Sequence, residues 1–181
     1  MSDQQLIRGC QKGQKDCQYQ LVKQYSPMLM TVCRRYVVDQ ATAKDVLQES
    51  FIRIFKYIRN YEPGGSFEAW MRKIAVRCSL DWLNKKHLKF ETVFLDDFPK
   101  ESNEPIIYGQ FEIEEIISLI QELSPALRSV FNLNVIEGYN HIEIAEMLQI
   151  SESTSRANLA RARKILQHKL NHDNLKKSKS A

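Results

Sequence analysis

Residues 139–166 read "YNHIEIAEMLQISESTSRANLARARKIL". Apolar and small side chains recur at helical spacing on both sides of a very short break, which predicts two helices joined by a tight turn. Asn140 and Glu143 have the spacing of a capping box that opens the first helix, and Ser151 can cap the second. Ile142, Ala145 and Leu148 are expected on the inner face of the first helix, with Ile150 plugging the turn. Ser155, Leu159, Ala162 and Leu166 are expected on the inner face of the second, where the small Ala145 lets the two helices cross closely. This is a helix-turn-helix pattern, whose second helix can enter a major groove. Its outward side carries Thr154, Ala157, Arg161 and Lys164, flanked by Arg156 and Ala160. Arg163 falls nearer the core side, where a packing or snorkelling role is expected. Arginine can read guanine edges, alanine can meet a thymine methyl, and lysine can neutralise phosphate. A plain helical hairpin with a solvated basic face is the alternative.

Helical periodicity continues through the rest of the chain. Glycine and proline are scarce, at six and five, and alternating strand patterns are absent. Leu6, Ile7 and Cys10 suit a first short helix. Cys17, Leu21 and Tyr25 suit a second, expected to end before Pro27. Met28, Leu29, Val32, Cys33, Tyr36 and Val37 suit a third. Leu47, Phe51, Ile54 and Ile58 suit a fourth. A fifth is predicted from about Ser66 to Lys86, with Phe67, Met71, Ile74, Cys78 and Trp82 towards the core. Periodicity stops over residues 88–110, which read as a linker, and resumes with Phe111, Ile113, Ile116, Ile117, Ile120 and Leu123. Ser124-Pro125 opens a further helix that ends near Gly138. The fold class is therefore all-α, with two small helical domains and a flexible acidic linker. The expected bounds are an N-terminal domain over 1–88, a linker over 89–110, a helix-turn-helix domain over 111–172 and a frayed basic tail over 173–181.

Charge is distributed unevenly along the 181 residues, although the net is only +4. Residues 71–89 hold six Lys or Arg against one acid, and residues 151–181 hold eight against two. Residues 91–122 between them hold nine acids against one lysine. Two surfaces facing a polyanion, joined by an acidic connector, account for this; ordinary solvated helix faces are the alternative.

Residues 61–75, "YEPGGSFEAWMRKIA", place a glycine loop, three aromatics and the start of a basic helix side by side. On a helix over 66–86, Trp70, Lys73, Arg77 and Asn84 share one stripe beside the apolar face. Before it, the loop Tyr61 to Ser66 contains Gly64 and Gly65, which permit unusual backbone angles. Cations beside aromatics and a pliant loop can hold unpaired nucleic acid. Phe67 is expected in the core, while Tyr61 and Trp70 suit packing and base contact equally well.

Other chemistry is excluded by pattern. There is no HExxH, no Walker loop and no nucleophile elbow. His168 and His172 stand four apart without a third ligand, and Cys10, Cys17, Cys33 and Cys78 form no CxxC pair. Reduced core thiols, no metal, no cofactor, no small-molecule substrate and no enzymatic activity are expected. No signal peptide opens the chain and no apolar run approaches ~18 residues, so a soluble cytoplasmic protein is expected.

Three stretches together carry a family likeness. "DVLQESFIRIFKYI", then "SFEAWMRKIAVRCSLDWL", then a linker and the helix-turn-helix resemble the extracytoplasmic-function (ECF) sigma factors of bacterial RNA polymerase. The resemblance implies an N-terminal domain that binds the polymerase clamp helices and opens the promoter's upstream edge. It implies polymerase binding by Asp45, Gln48, Glu49 and Arg53, which form the polar face of the fourth helix. It implies capture of a flipped −10 base by the loop Tyr61 to Ser66, with Arg77 facing the same strand. It implies reading of the −35 element by Arg156, Ala157, Ala160 and Arg161. Many members carry G-T-V-K/R-S-R where this chain has "STSRAN", so docking carries over and base preference does not. The implied partners are core RNA polymerase, promoter DNA and, as in many members, an anti-sigma factor. The second reading is a self-sufficient helix-turn-helix regulator with an N-terminal interaction domain, which would bind duplex DNA tightly without polymerase.

Overall fold

The computed structural model describes residues 2–62, 64–85 and 113–179, with side chains described as far as Asn171 and not for Ile113. The expected linker 89–110 lies outside the described residues. All described regular elements are helical. The chain divides into two compact units, residues 1–87 and 88–181.

The first unit is built from α1 (Asp3–Gln11), α2 (Lys15–Tyr36), α3 (Gln40–Tyr57) with a 3-10 turn at Ile58–Asn60, and α4 (Phe67–Lys85). Side chains set the starts of α1 and α3. Ser2 and Gln5 form a capping box on α1. Asp39 caps α3 by accepting from Thr42 N at 2.7 Å and Thr42 Oγ1 at 2.6 Å. Those two bonds hold the Asp39 carboxyl below its usual range. α2, α3 and α4 pack against one another, and α1 lies on α2. Gly9 permits that last contact, because a Cβ there would meet Cys17 Sγ at 2.2 Å.

α2 does not end before Pro27; it runs unbroken from Lys15 to Tyr36. The stripe Cys17, Leu21, Tyr25, Leu29, Val32 and Tyr36 stays in phase across the proline, which sits on the exposed side. Burial along that stripe outweighs the roughly 3 kcal/mol that an interior proline costs a helix. α4 is also more deeply set than expected. Ala75, Val76, Leu80 and Leu83 are buried with Phe67, Met71 and Cys78, while Ile74 and Trp82 are only half-buried. All four cysteines are buried free thiols. Burial pushes the Cys10 thiol up to about 11 and the Cys33 thiol up to about 12.

The second unit contains α5 (Ile113–Gln121), α6 (Pro125–Phe131) continued by a π turn at Asn132–Ile136, α7 (His141–Leu148) and α8 (Glu152–Lys179). Leu119, Leu123, Ala162 and Leu166 form a core, with Leu127, Phe131, Ile165 and Leu170 around it. Arg128 is buried at 4% exposure and spans the bend between α5 and α6. Its Nη1 donates to Gln121 O at 2.8 Å and Leu123 O at 3.2 Å. Burial lowers the Arg128 guanidinium from its ordinary value. Gly138, at φ +79°, turns the chain out of the π segment. The tail expected to fray after His172 continues α8 to Lys179 instead. No glycine or proline interrupts the sequence there.

Candidate nucleic-acid and polymerase interfaces

Three rings gather where α4 begins. Phe67 is buried and meets Tyr25 edge-on at 5.9 Å between ring centroids. Trp70 stacks on Phe67 at 5.5 Å, and Tyr61 contacts both, at 5.2 Å from Phe67 and 4.8 Å from Trp70. Phe67 thus anchors two half-buried aromatics to the core, leaving part of each ring open to a ligand. Tyr61 Oη donates to Gly65 O at 3.3 Å, which folds the loop back over its own first residue. Ser66 is used as the helix cap, accepting from Ala69 N at 3.2 Å.

Gly64 and Gly65 are exposed, and neither has a positive φ. The unusual backbone angles expected of them are not adopted here. A Cβ at either position would meet nothing within 4 Å, so both face open space. Along α4, Lys73, Arg77 and Asn84 are exposed and Trp70 is half-buried. Leu80, at 4% exposure, breaks the stripe and separates Asn84 from the rest.

On α3, Asp45, Gln48, Glu49 and Arg53 share one face, with Arg53 half-buried. Arg53 Nε donates to Glu49 Oε1 at 2.9 Å, and its Nη1 donates to Asp81 Oδ2 of α4 at 2.6 Å. These bonds, Asp81 foremost, raise the guanidinium above its ordinary value. Ile52 projects from the same polar face at 55% exposure.

In the second unit the capping box of Asn140 and Glu143 is formed, and Ser151 Oγ accepts from Thr154 N at 3.0 Å. His141 Nδ1 lies 2.9 Å from the buried Ser155 Oγ, linking the start of α7 to α8. The inner face of α7 differs from expectation. Leu148 is buried as expected, but Ile142 is 60% exposed and Ile144 is buried in its place. The turn passes through Gln149 in the left-handed region at φ 55°.

The outward face of α8 is also shifted. Arg156, Ala157, Ala160 and Arg163 are exposed, whereas Thr154, Arg161 and Lys164 are half-buried on its margins. Arg163, expected near the core, belongs to the exposed stripe. Arg156 is held by Glu152 one turn earlier, its Nε donating at 3.2 Å.

Asp81 joins the α3 face without any sequence signal for its partner Arg53, which lies 28 positions away in the chain, and Ile52 joins it as an exposed apolar residue. Arg163 has a signal, the seven-residue step from Arg156. Among the described residues no group of His, Cys, Asp or Glu could hold a metal ion, and no helix is long and apolar enough to cross a membrane.

Comparison with known proteins follows the same division. The family descriptions Sigma-70 region 2 and Sigma-70, region 4 match residues 21–88 and 113–166, together more than half of the chain. The chain is 30% identical to the ECF RNA polymerase sigma factor SigE of Mycolicibacterium smegmatis, over 81% of this chain and 59% of that one. It is 27% identical to the ECF RNA polymerase sigma-E factor of Haemophilus influenzae, covering 94% and 96%. It is 28% identical to the RNA polymerase sigma-H factor of Pseudomonas aeruginosa, covering 91% of each. Its fold is similar to CnrH, solved in complex with the cytosolic domain of CnrY, at a TM-score of 0.53 and 21% identity over 94% of this chain and 98% of that one. It is also similar to RpoE of Bartonella quintana, solved in complex with the anti-sigma factor NepR, at 0.52 and 19% over 84% and 96%. Carrying both region 2 and region 4, the chain belongs to the sigma-70 family, as an RNA polymerase sigma factor of the ECF type.

Proposed function

We propose a division of labour among the three faces, within a sigma factor that works on core RNA polymerase and promoter DNA. The face of α3 with Asp45, Gln48, Glu49, Ile52 and Arg53 docks on core polymerase. Its mixture of carboxylates with one exposed isoleucine suits a protein partner better than a phosphate backbone. The loop 61–66, with Tyr61, Trp70, Lys73 and Arg77, holds the unpaired −10 strand. Gly64, Gly65 and Ser66 line the open space for an extruded base. The single observation that carries this is the aromatic cluster. Tyr61 and Trp70, 4.8 Å apart and half-buried, sit beside that open loop and at the head of a helix with exposed cations.

The exposed stripe of α8 reads the −35 element through Arg156, Ala157 and Ala160. Arg161, Arg163, Lys164 and the Thr154 hydroxyl lie on or beside the stripe, within reach of phosphates. The molecule acts in the cytoplasm as a non-enzymatic initiation subunit. The complex of the similar RpoE with the anti-sigma factor NepR supports an anti-sigma partner. The stand-alone regulator is not favoured, because region 2 accompanies region 4.

The test is co-purification with core polymerase, followed by run-off transcription on a promoter library. Core-dependent initiation at a defined pair of elements is expected. Tight sequence-specific duplex binding by the chain alone, with no association to core enzyme, would overturn the proposal.

A further inference from the structure

Gln11, in the last turn of α1, reaches across to the far end of α3. Its Nε2 donates to Ile58 O at 3.1 Å and to Tyr61 O at 3.1 Å. An amide NH2 has two hydrogens, and here each has its own carbonyl. Ile58 opens the 3-10 turn and Tyr61 caps it, at φ −73° and ψ 120°. Ile58 O also accepts from the Tyr61 amide at 3.1 Å, so Gln11 braces a turn already closed and gives a side-chain partner to the Tyr61 carbonyl just beyond it, which sets the direction in which the chain leaves. That departing chain is the loop 61–66.

Tyr61 is therefore held at two ends. Gln11 fixes its backbone carbonyl, while Phe67, Trp70 and Gly65 O fix its ring and hydroxyl. α1 is itself rigidly seated. Leu6, Ile7 and Cys10 are buried, and Gly9 lies against Cys17 too closely for any side chain.

We propose that α1 is a strut for the −10 loop and that Gln11 is its positioning residue, aligning Tyr61 for capture of the extruded base. This rests on the assignment of the loop given above. Gln11 touches no DNA in this scheme. It lowers the cost of ordering the loop when the base arrives, so it acts on promoter opening and not on the initial closed complex.

The experiment uses the full chain assembled with core polymerase. Gln11→Met keeps the length of the side chain and removes both donors. Gln11→Glu keeps the shape and turns a carboxylate towards two carbonyls. Gly64→Val/Gly65→Val serves as the reference for the loop. Closed-complex affinity and the rate of opening are measured separately by filter binding and permanganate reactivity, normalised to the fraction of chain competent to bind core enzyme.

Both Gln11 variants are expected to slow opening about tenfold, as two lost hydrogen bonds imply, with closed-complex affinity and −35 duplex binding unchanged. Wild-type opening by both variants, alongside slow opening by the divaline variant, overturns the role of Gln11 and leaves the loop assignment standing. Wild-type opening by all three overturns both. A defect that vanishes on normalisation marks Gln11 as a folding residue only and likewise overturns the proposal.

Discussion

Arg53 ties α3 to α4: its Nη1 donates to Asp81 Oδ2 at 2.6 Å across 28 positions of sequence, while its Nε holds Glu49 one turn away. The proposed polymerase face and the proposed strand-binding helix thus share one guanidinium. All three groups are partly solvated, so the ion pairs contribute at most about 1 kcal/mol to stability. Their effect lies in registering the two helices.

That register shapes the expectation for charge reversal on α3. Asp45→Lys combined with Glu49→Lys places two cations on the docking face. Arg53 keeps Asp81, and the buried Val46, Ser50, Phe51 and Ile54 are untouched. Helicity by circular dichroism should be unchanged, while affinity for core polymerase should fall on the order of 100-fold, as like-charge juxtaposition at an interface implies. Undiminished pull-down of core enzyme by the double variant would remove α3 from the docking surface.

On α8 the proposed −35 face should separate two kinds of contact. Arg156→Ala should cost about 1–3 kcal/mol on the cognate −35 duplex and relax preference at one position. Arg163→Ala and Lys164→Ala should weaken all duplexes alike and reduce the salt slope by about one each. Fluorescence-anisotropy titrations at several salt concentrations distinguish the two. Equal loss by Arg156→Ala on cognate and scrambled duplex would make it a phosphate contact.

The turn between α7 and α8 depends on one strained residue. Gln149 holds a left-handed conformation that costs an L-residue roughly 1–2 kcal/mol. Its neighbour Ile150 returns the chain to Ala145 O through its amide at 3.1 Å, so the conformation cannot relax without opening the turn. Gln149→Val adds a branched Cβ to that strain and should destabilise the C-terminal unit by about 1–2 kcal/mol in urea titration. Gln149→Gly should be at least as stable as the parent. A valine variant as stable as the parent would show that the turn has another accessible geometry.

Much of this was legible because long helices carry many turns of pattern. α3 and α8 present their polar faces over several repeats, and the caps at Asn140 and Ser151 follow from short local spacing. Errors arose where the pattern was short or overridden. α7 has only two turns, so Ile142 and Ile144 compete for one inward position; the cap at Asn140 sets the phase that buries Ile144. At Pro27 a local stop signal lost to a packed stripe on both sides of it. Gln11 and Asp81 act through partners 47 and 28 positions away, distances at which single-chain periodicity carries no information.

The loop Tyr61 to Ser66 gives the most direct test of strand capture. Gly64 and Gly65 face open space and adopt no left-handed angles, so valine at both positions meets no clash in the free protein. The divaline variant should therefore fold normally, with the ring cluster of Tyr61, Phe67 and Trp70 intact. What it loses is room and backbone freedom at the moment a base enters. Stacking or pocketing one base is worth roughly 1–3 kcal/mol, on the order of the cost of extruding it from the duplex. The balance of promoter opening is thus within reach of this change. Binding to a −10 non-template oligonucleotide should weaken about 5- to 150-fold, the range those energies imply, with −35 duplex binding unaffected. Trp70→Ala and Arg77→Ala should show the same selectivity. Trp70→Ala should also lower the melting temperature, because it removes the ring stacked on Phe67 at 5.5 Å. Normal oligonucleotide binding by the divaline variant would reduce the loop to a hinge and leave Trp70 with packing as its whole role.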